Sequence, residues 1–291
     1  MIWILGSIGL IGAIFFFRWQ NNDIVVSEYE HENDKIPGAF DGYRIVHLSD
    51  LHNKRFSKGQ LKLLQAVRRA KPHMIVITGD LIDKRRPGLS AATELIRGLM
   101  RYAPVYFVPG NHEKTSREYK ALKAILMDAG VVVLENRVAI LEQDEETINL
   151  LGMKDFFFYR TKRGKAADKE SYYKRLLRVA PNADAGFCIL LAHRPELIDI
   201  YERAGADLVF SGHAHGGQVR LPVIGGLFAP GQGLFPRYTS GLNPYRSAML
   251  VVSRGLGNSS FPLRCFNRPE VIVLTLKNGT QKRDAYETDF S

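Results

Sequence analysis

The stretch Tyr43 to His52, YRIVHLSDLH, decides how the rest of the chain is read. Its first half is a short run rich in β-branched and apolar residues, and its second half turns polar at Asp50-Leu51-His52. A strand therefore delivers two chemistry-bearing side chains at its carboxyl end. The same arrangement recurs downstream, where Met74-Ile75-Val76-Ile77 leads into Gly79-Asp80 and Val105-Tyr106-Phe107-Val108 leads into Gly110-Asn111-His112-Glu113. Between these runs lie segments with apolar residues at helical spacing: 58–70 with Leu61, Leu64 and Val67, then 90–101, then 116–129 with Leu122, Ile125 and Leu126. Further strands are expected at 131–134, 148–151, 187–192 and 208–211, and the chain ends β-rich at 248–253 and 271–276. This order predicts an α/β fold of two packed mixed β-sheets flanked by helices.

The 291 residues, 45% of them hydrophobic, suffice for one large core and exclude a disordered chain. Cys188 and Cys265 lie far apart in sequence and form no CxxC or Cys/His cluster, so neither a disulfide framework nor a thiolate zinc site is indicated. Forty Lys and Arg against thirty Asp and Glu give a net charge of +10, which favours an anionic partner: nucleic acid, a phosphorylated substrate or an acidic membrane surface.

The amino terminus carries no charged side chain from Met1 to Phe17 and ends its apolar run at Arg18-Trp19. It lacks the basic region and cleavage site of a signal peptide, so residues 1–19 are expected to be a retained membrane anchor. Arg18 and the basic domain behind it then place the catalytic part on the cytoplasmic side of the cell membrane. Residues 20–42, polar, acidic and ending near Pro37-Gly38, read as a linker, and residues 43–291 as the folded domain.

Five strand ends carry the candidate chemistry. Besides Asp50, His52, Asp80, Asn111 and His112, His193 follows Ile189-Leu190-Leu191, and Gly212-His213-Ala214-His215 follows Leu208-Val209-Phe210. Loops beyond the carboxyl ends of strands in α/β sheets are where ligand sites converge. Any one of these residues alone is more often a turn, cap or structural residue, but five coincidences in order point to a single site. Mixed His, Asp and Asn ligands without thiolates suit Mn, Fe, Zn and similar divalent ions.

The ordered set Asp50-x-His52, Gly79-Asp80, Gly110-Asn111-His112-Glu113, His193 and Gly212-His213-x-His215 resembles the signature of calcineurin-like metallophosphoesterases. The later segments Gly212 to Pro222, Ser253 to Gly257, Pro262 to Arg264 and Arg268 to Glu270 are similar to a bacterial membrane-associated branch of phosphohydrolases and phosphodiesterases. The resemblance implies a four-layer αββα sandwich holding two divalent ions, Mn first among Mn, Fe, Zn, Mg and Ni. Asp50, His52 and His215 would bind one ion, Asn111, His193 and His213 the other, and Asp80 would bridge them. His112 would be the non-ligand catalytic histidine, with Asp83 as its carboxylate partner. It further implies hydrolysis of a phosphodiester or pyrophosphate bond by a water activated between the ions. The substrate would be a phosphorylated small molecule or a lipid- or nucleotide-linked one, for which a UDP-2,3-diacylglucosamine-type compound is a precedent by likeness.

Two other functions compete. A catalytically inactive scaffold of the same fold is disfavoured by the intact set of ligands. A nuclease is encouraged by the net charge, but no helix-turn-helix, aromatic-basic RNA-binding strand or zinc-finger spacing occurs, so nucleic acid is not the expected partner. One stretch is left over. From Tyr159 to Arg178 there are eight Lys and Arg against two acidic residues, after the aromatic run Phe156-Phe157-Phe158. It reads either as a solvated basic surface or as a substrate-binding insertion in which Arg160 and Arg163 meet phosphate.

Overall fold

The structure is a computed structural model that describes residues 2–159, 168–181, 186–258 and 261–279. Arg160 and Arg163, the expected substrate contacts, lie outside the described residues.

Two six-stranded mixed sheets form the centre of the fold. The first runs, edge to edge, Val25–Asn33, Glu270–Asn278, Arg44–Leu48, Met74–Ile77, Val105–Phe107 and Val132–Val133. In the second the order is Gly241–Tyr245, Ala248–Val252, Leu208–Ser211, Cys188–Leu191, Glu146–Gly152 and Arg137–Gln143. The strands preceding the candidate ligands are parallel to one another: Arg44–Leu48, Met74–Ile77 and Val105–Phe107 in one sheet, Cys188–Leu191 and Leu208–Ser211 in the other. Their carboxyl ends therefore point the same way within each sheet.

Side chains along a strand alternate between faces, and here both faces are covered, which is why the runs are continuously apolar. Ile45, Met74 and Val76 pack with Ile148, Leu150, Ile189, Leu191 and Phe210 in the layer between the sheets. The alternate residues Val46, Ile75, Ile77 and Phe107 meet Leu64, Val67, Leu95, Leu99, Leu122 and Leu126 from the helices Leu61–Arg69, Ser90–Leu99 and Tyr119–Asp128. On the far side, Leu151, Leu190, Val209 and Leu250 meet Tyr172 and Leu176 of Lys169–Leu177 and Ile198 and Tyr201 of Ile198–Arg203. The helical spacing thus placed two faces correctly, except that Leu61, at the start of its helix, is exposed while Leu63 is buried.

Two expectations about the amino terminus are corrected. Among the described residues no helix is long and apolar enough to cross a membrane. The helix Ile2–Asn22 has 21 residues, but Arg18 closes its apolar run, and Gln20 and Asn21 are buried against the rest of the chain. At 1.5 Å per residue, Ile2 to Phe17 would reach only about 24 Å, short of the roughly 30 Å hydrocarbon core of a bilayer. The assignments of residues 1–19 as a membrane-spanning anchor, and of the chain to the cell membrane through it with a cytoplasmic domain, fall with that finding.

The second correction concerns residues 20–42. Instead of a linker they contain the edge strand Val25–Asn33, paired in parallel along its whole length with Glu270–Asn278. Asn267 donates its N–H to Gln20 Oε1 at 3.1 Å, and Arg264 donates its N–H to Asn21 Oδ1 at 3.2 Å. The end of the helix is consequently part of the fold.

Candidate metal centre

The carboxyl ends of both sheets meet along one edge, and every strand-end ligand expected from sequence arrives there. Asp50 and His52 follow Arg44–Leu48, Asp80 follows Met74–Ile77, His193 follows Cys188–Leu191, and His213 and His215 follow Leu208–Ser211. Asn111 and His112 open the short helix Asn111–Thr115. Asp50, His52, Asp80, His213 and His215 all have φ between 48° and 65°. Left-handed backbone at non-glycine residues costs energy and persists where the surroundings over-determine it, commonly at functional sites. The strand ends turn sharply here, aiming consecutive polar side chains at one point.

The side chains form overlapping groups. Asp50, His52 and His215 offer ligand atoms within 4.8 Å of one another, and so do Asp80, His193 and His213. His52 Nε2 stands 3.1 Å from His215 Nε2, and His215 Nε2 3.4 Å from Asp50 Oδ1. Asp80 Oδ2 lies between the groups, 3.3 Å from His193 Nε2 and 3.7 Å from His52 Nε2. His112 also stands within 4.8 Å of His52 and Asp80.

These residues fit divalent metal ions. Asp50 Oδ1, Asn111 Oδ1, His193 Nε2 and His213 Nε2 are buried and have no hydrogen-bond partner. Burying polar atoms unpaired is costly, so their convergence calls for a cation to satisfy them. His193 is already oriented as a ligand, since its Nδ1–H donates to the Thr78 carbonyl at 2.6 Å and leaves Nε2 directed into the cluster.

Charge is tightly balanced around this edge. Burial pushes His215 down to about 3 against the pull of Asp50, and burial likewise holds His213 well below the usual imidazole range. Asp50 and Asp80 are lowered despite burial, which opposes ionisation, because the surrounding imidazoles favour their charge. For His193, burial is outweighed by the Asp80 and Asp50 carboxylates, which raise it to about 10. A cation held by the same carboxylates would take the place of that proton.

His112 Nδ1 lies 3.3 Å from Asp83 Oδ1 and 3.3 Å from the Lys84 N–H. The nitrogen thus accepts from Lys84 when bare and faces a carboxylate when protonated. Asp83 is itself held by Arg86 at 2.6 Å. Burial lowers the pKa of His112, while Asp80 and Asp83 oppose the shift.

Glu113 belongs to the Gly110–Glu113 motif, yet the sequence alone suggests no role for it. Glu113 is fully buried, and its Oε2 accepts the N–H groups of Asp80 and Gly110 at 2.8 Å each, while Oε1 accepts that of Ile82 at 3.2 Å. It locks the Asp80 turn to the start of the Asn111 helix. Glu113 at the third helical position reaches back to the Gly110 N–H, which is the half of a capping box that needs no N-cap side chain. Burial and the Asp80 charge push its carboxyl up to about 7, against the three N–H donors. Gly79, with φ of 95°, lies on the same seam: a Cβ there would stand 2.5 Å from Gly110 N. Arg194, also unassigned from sequence, is buried beside His193 and donates from Nε to Asp155 at 2.8 Å.

Carboxylate and imidazole groups able to hold metal ions, gathered at the shared carboxyl edge of two packed mixed sheets, are the arrangement of a metallophosphoesterase-type hydrolase. Comparison with known proteins agrees: residues 43–217 match the profile of the Calcineurin-like phosphoesterase family, and the chain belongs to that family. It is 31% identical over 281 residues to the uncharacterized metallophosphoesterase YkuE of Bacillus subtilis, covering 94% of this chain and 93% of that one. Similarity to the phosphodiesterase YaeI of Escherichia coli is 30% over 240 residues, covering 80% of this chain and 82% of the relative. A solved structure, TT1561 of Thermus thermophilus, superposes with a TM-score of 0.49 at 13% identity, over 74% of this chain and 90% of that one.

Proposed function

We propose that the chain hydrolyses a phosphodiester or pyrophosphate bond, using two divalent ions held by Asp50, His52 and His215 on one side and Asn111, His193 and His213 on the other, with Asp80 shared. The observation that carries this reading is the position of Asp80 Oδ2, within 3.7 Å of an imidazole nitrogen from each group. The similarity to a protein named as a phosphodiesterase supports the diester reading. Manganese is the first choice among ions that accept mixed imidazole, carboxylate and amide ligands. Bound there, such ions would polarise phosphoryl oxygens and make a water acidic enough to attack near neutral pH.

The chain's own residues supply the rest. His112, with Asp83 stabilising its protonated form, stands beside the cluster to give a proton to the departing oxygen. Asp80 and Glu113 fix the loops from which Asn111 and His112 project, so the reacting groups are positioned before substrate arrives. The phosphorylated substrate is a nucleotide-linked or lipid-linked compound, drawn to a chain of net charge +10. Metal analysis of the purified chain, combined with a panel of phosphomonoester, diester and nucleoside-diphosphate substrates, tests this. About two ions per chain and preference for diesters or pyrophosphates are expected. One ion at full activity, or cleavage of monoesters alone, would overturn the proposal.

A further inference from the structure

A groove of about 870 Å³ runs from the metal centre to the amino-terminal helix, within the size range of sites that hold small-molecule ligands. One wall is the helix face formed by Leu10, Ala13, Ile14 and Phe17. Their i, i+3, i+4, i+7 spacing makes a straight apolar stripe, about 10 Å long at the helical rise, opened in the middle by the small Ala13. Leu10 and Ile14 are more than half exposed, at 64% and 51%, so the stripe has no covering partner within the described residues.

The far end of the groove is different in kind. It is lined by His52, a member of the metal cluster, by Lys54, and by Arg86, whose guanidinium also pairs with Asp83, with Arg18 contributed by the helix itself. Lys54 Nζ donates to the Asn21 backbone carbonyl, which ties this cationic rim to the helix. A single molecule filling the groove would place anionic groups among the cations and at the metal centre, and an apolar portion along the stripe. The continuity with His52 argues for a part of the substrate over a separate partner, and the straight stripe suits a linear chain better than a compact ring.

We propose that the groove between the amino-terminal helix and the metal centre is the subsite for a linear alkyl or acyl chain carried by the phosphoester substrate. The inference rests on the phosphoesterase reading above, narrows its substrate to an amphiphilic phosphoester, and adds a role for the amino-terminal helix as one wall of the active site. Ala13 is the specificity-determining position, because a large side chain there would close the stripe midway.

The test uses the full chain loaded with Mn²⁺ and the methyl, butyl and octyl diesters of p-nitrophenyl phosphate, each below its micelle concentration. Every buried methylene should raise kcat/KM by about threefold to fourfold, and partial burial sets the expected octyl-to-methyl ratio at about 10². Ala13→Trp should cut that ratio at least about tenfold, whereas Ile8→Trp, on the opposite helix face, should leave it alone. A ratio near one in the parent, or an unchanged ratio in Ala13→Trp, would overturn the inference while leaving the phosphoesterase reading intact.

Calorimetric binding of decyl phosphate against methyl phosphate decides the groove without turnover. Tighter binding of the decyl compound, weakened about tenfold by Ala13→Trp, supports the subsite even if no diester is cleaved. Binding indifferent to chain length overturns it. A dimer that Ala13→Trp dissociates would make a second copy the occupant and overturn it as well.

Discussion

Asp80 accepts the His112 backbone N–H at 2.8 Å through Oδ1 while Oδ2 faces the imidazoles of both clusters. Replacing it by Asn keeps the shape and removes the charge. Asp80→Asn should therefore lower metal content below two ions per chain by elemental analysis and abolish most turnover, with the folding transition retained. His112→Ala should separate the two readouts: metal content stays near the parent value while turnover falls about 10²–10⁴-fold. Loss of an ion in that variant would make His112 a ligand, an outcome that its closeness to His52 and Asp80 makes worth measuring. The strand-end residues that gather at this edge were legible in the sequence because each comes soon after a mostly apolar run, and that contrast comes directly from strand burial. Glu113 was less legible. It accepts N–H groups from turns that only the folded sheet brings together, and no local pattern names Asp80 and Ile82 as its donors. Glu113→Gln would set an amide N–H₂ against those donors, so a loss of about 1–3 kcal/mol is expected, read as a lower urea midpoint at unchanged slope. A midpoint within error of the parent would show that the seam is held by other contacts.

The elements that sequence periodicity found are those buried on both faces, such as Met74–Ile77 and Leu208–Ser211, all of whose residues are buried. Val25–Asn33 escaped because its composition resembles a linker: Glu28, Glu30 and Glu32 project outward from an edge strand while Ser27 and Tyr29 are half-buried and His31 is buried. The period-2 alternation was present, and acidic residues on a sheet edge also discourage pairing with other chains. The amino-terminal helix misled in the opposite sense. Its uncharged run suggested lipid, yet its last residues carry the hydrogen bonds that attach it to 258–267. Asn21 Oδ1 takes both the Asn258 amide at 2.7 Å and the Arg264 N–H at 3.2 Å. Asn21→Ala strands that buried N–H, and a cost of about 1–3 kcal/mol follows, together with faster proteolysis within the helix than within the sheets. Unchanged proteolysis would mean that the contact of Phe16 with Phe266, ring centroids 5.6 Å apart, suffices to dock the helix.

At the scale of the whole molecule, the net charge of +10 admits nucleic acid as readily as a small phosphoester, and the two are separated by how the charge is arranged. A duplex-binding surface needs cations free to track many phosphates, and affinity then falls steeply with salt because counterions are released. Many cations here are engaged within the chain: Arg194 with Asp155 and Glu196, Arg254 with Glu270, Lys123 with Glu135, Lys35 with Asp207, and Arg86 with Asp83. What remains near the metal centre is Arg18 and Lys54 along the groove, enough for one or two phosphates. Raising salt from about 50 to about 200 mM should therefore change kcat/KM on a small diester by less than about threefold, whereas a protein touching six to ten phosphates would lose about 10³–10⁵ in affinity over that range. Side-by-side kinetics on a chromogenic diester and a short oligonucleotide provide the measurement. Faster cleavage of the oligonucleotide at low salt, lost steeply as salt rises, would show that the excess charge serves a nucleic-acid backbone and would sink the small-substrate reading.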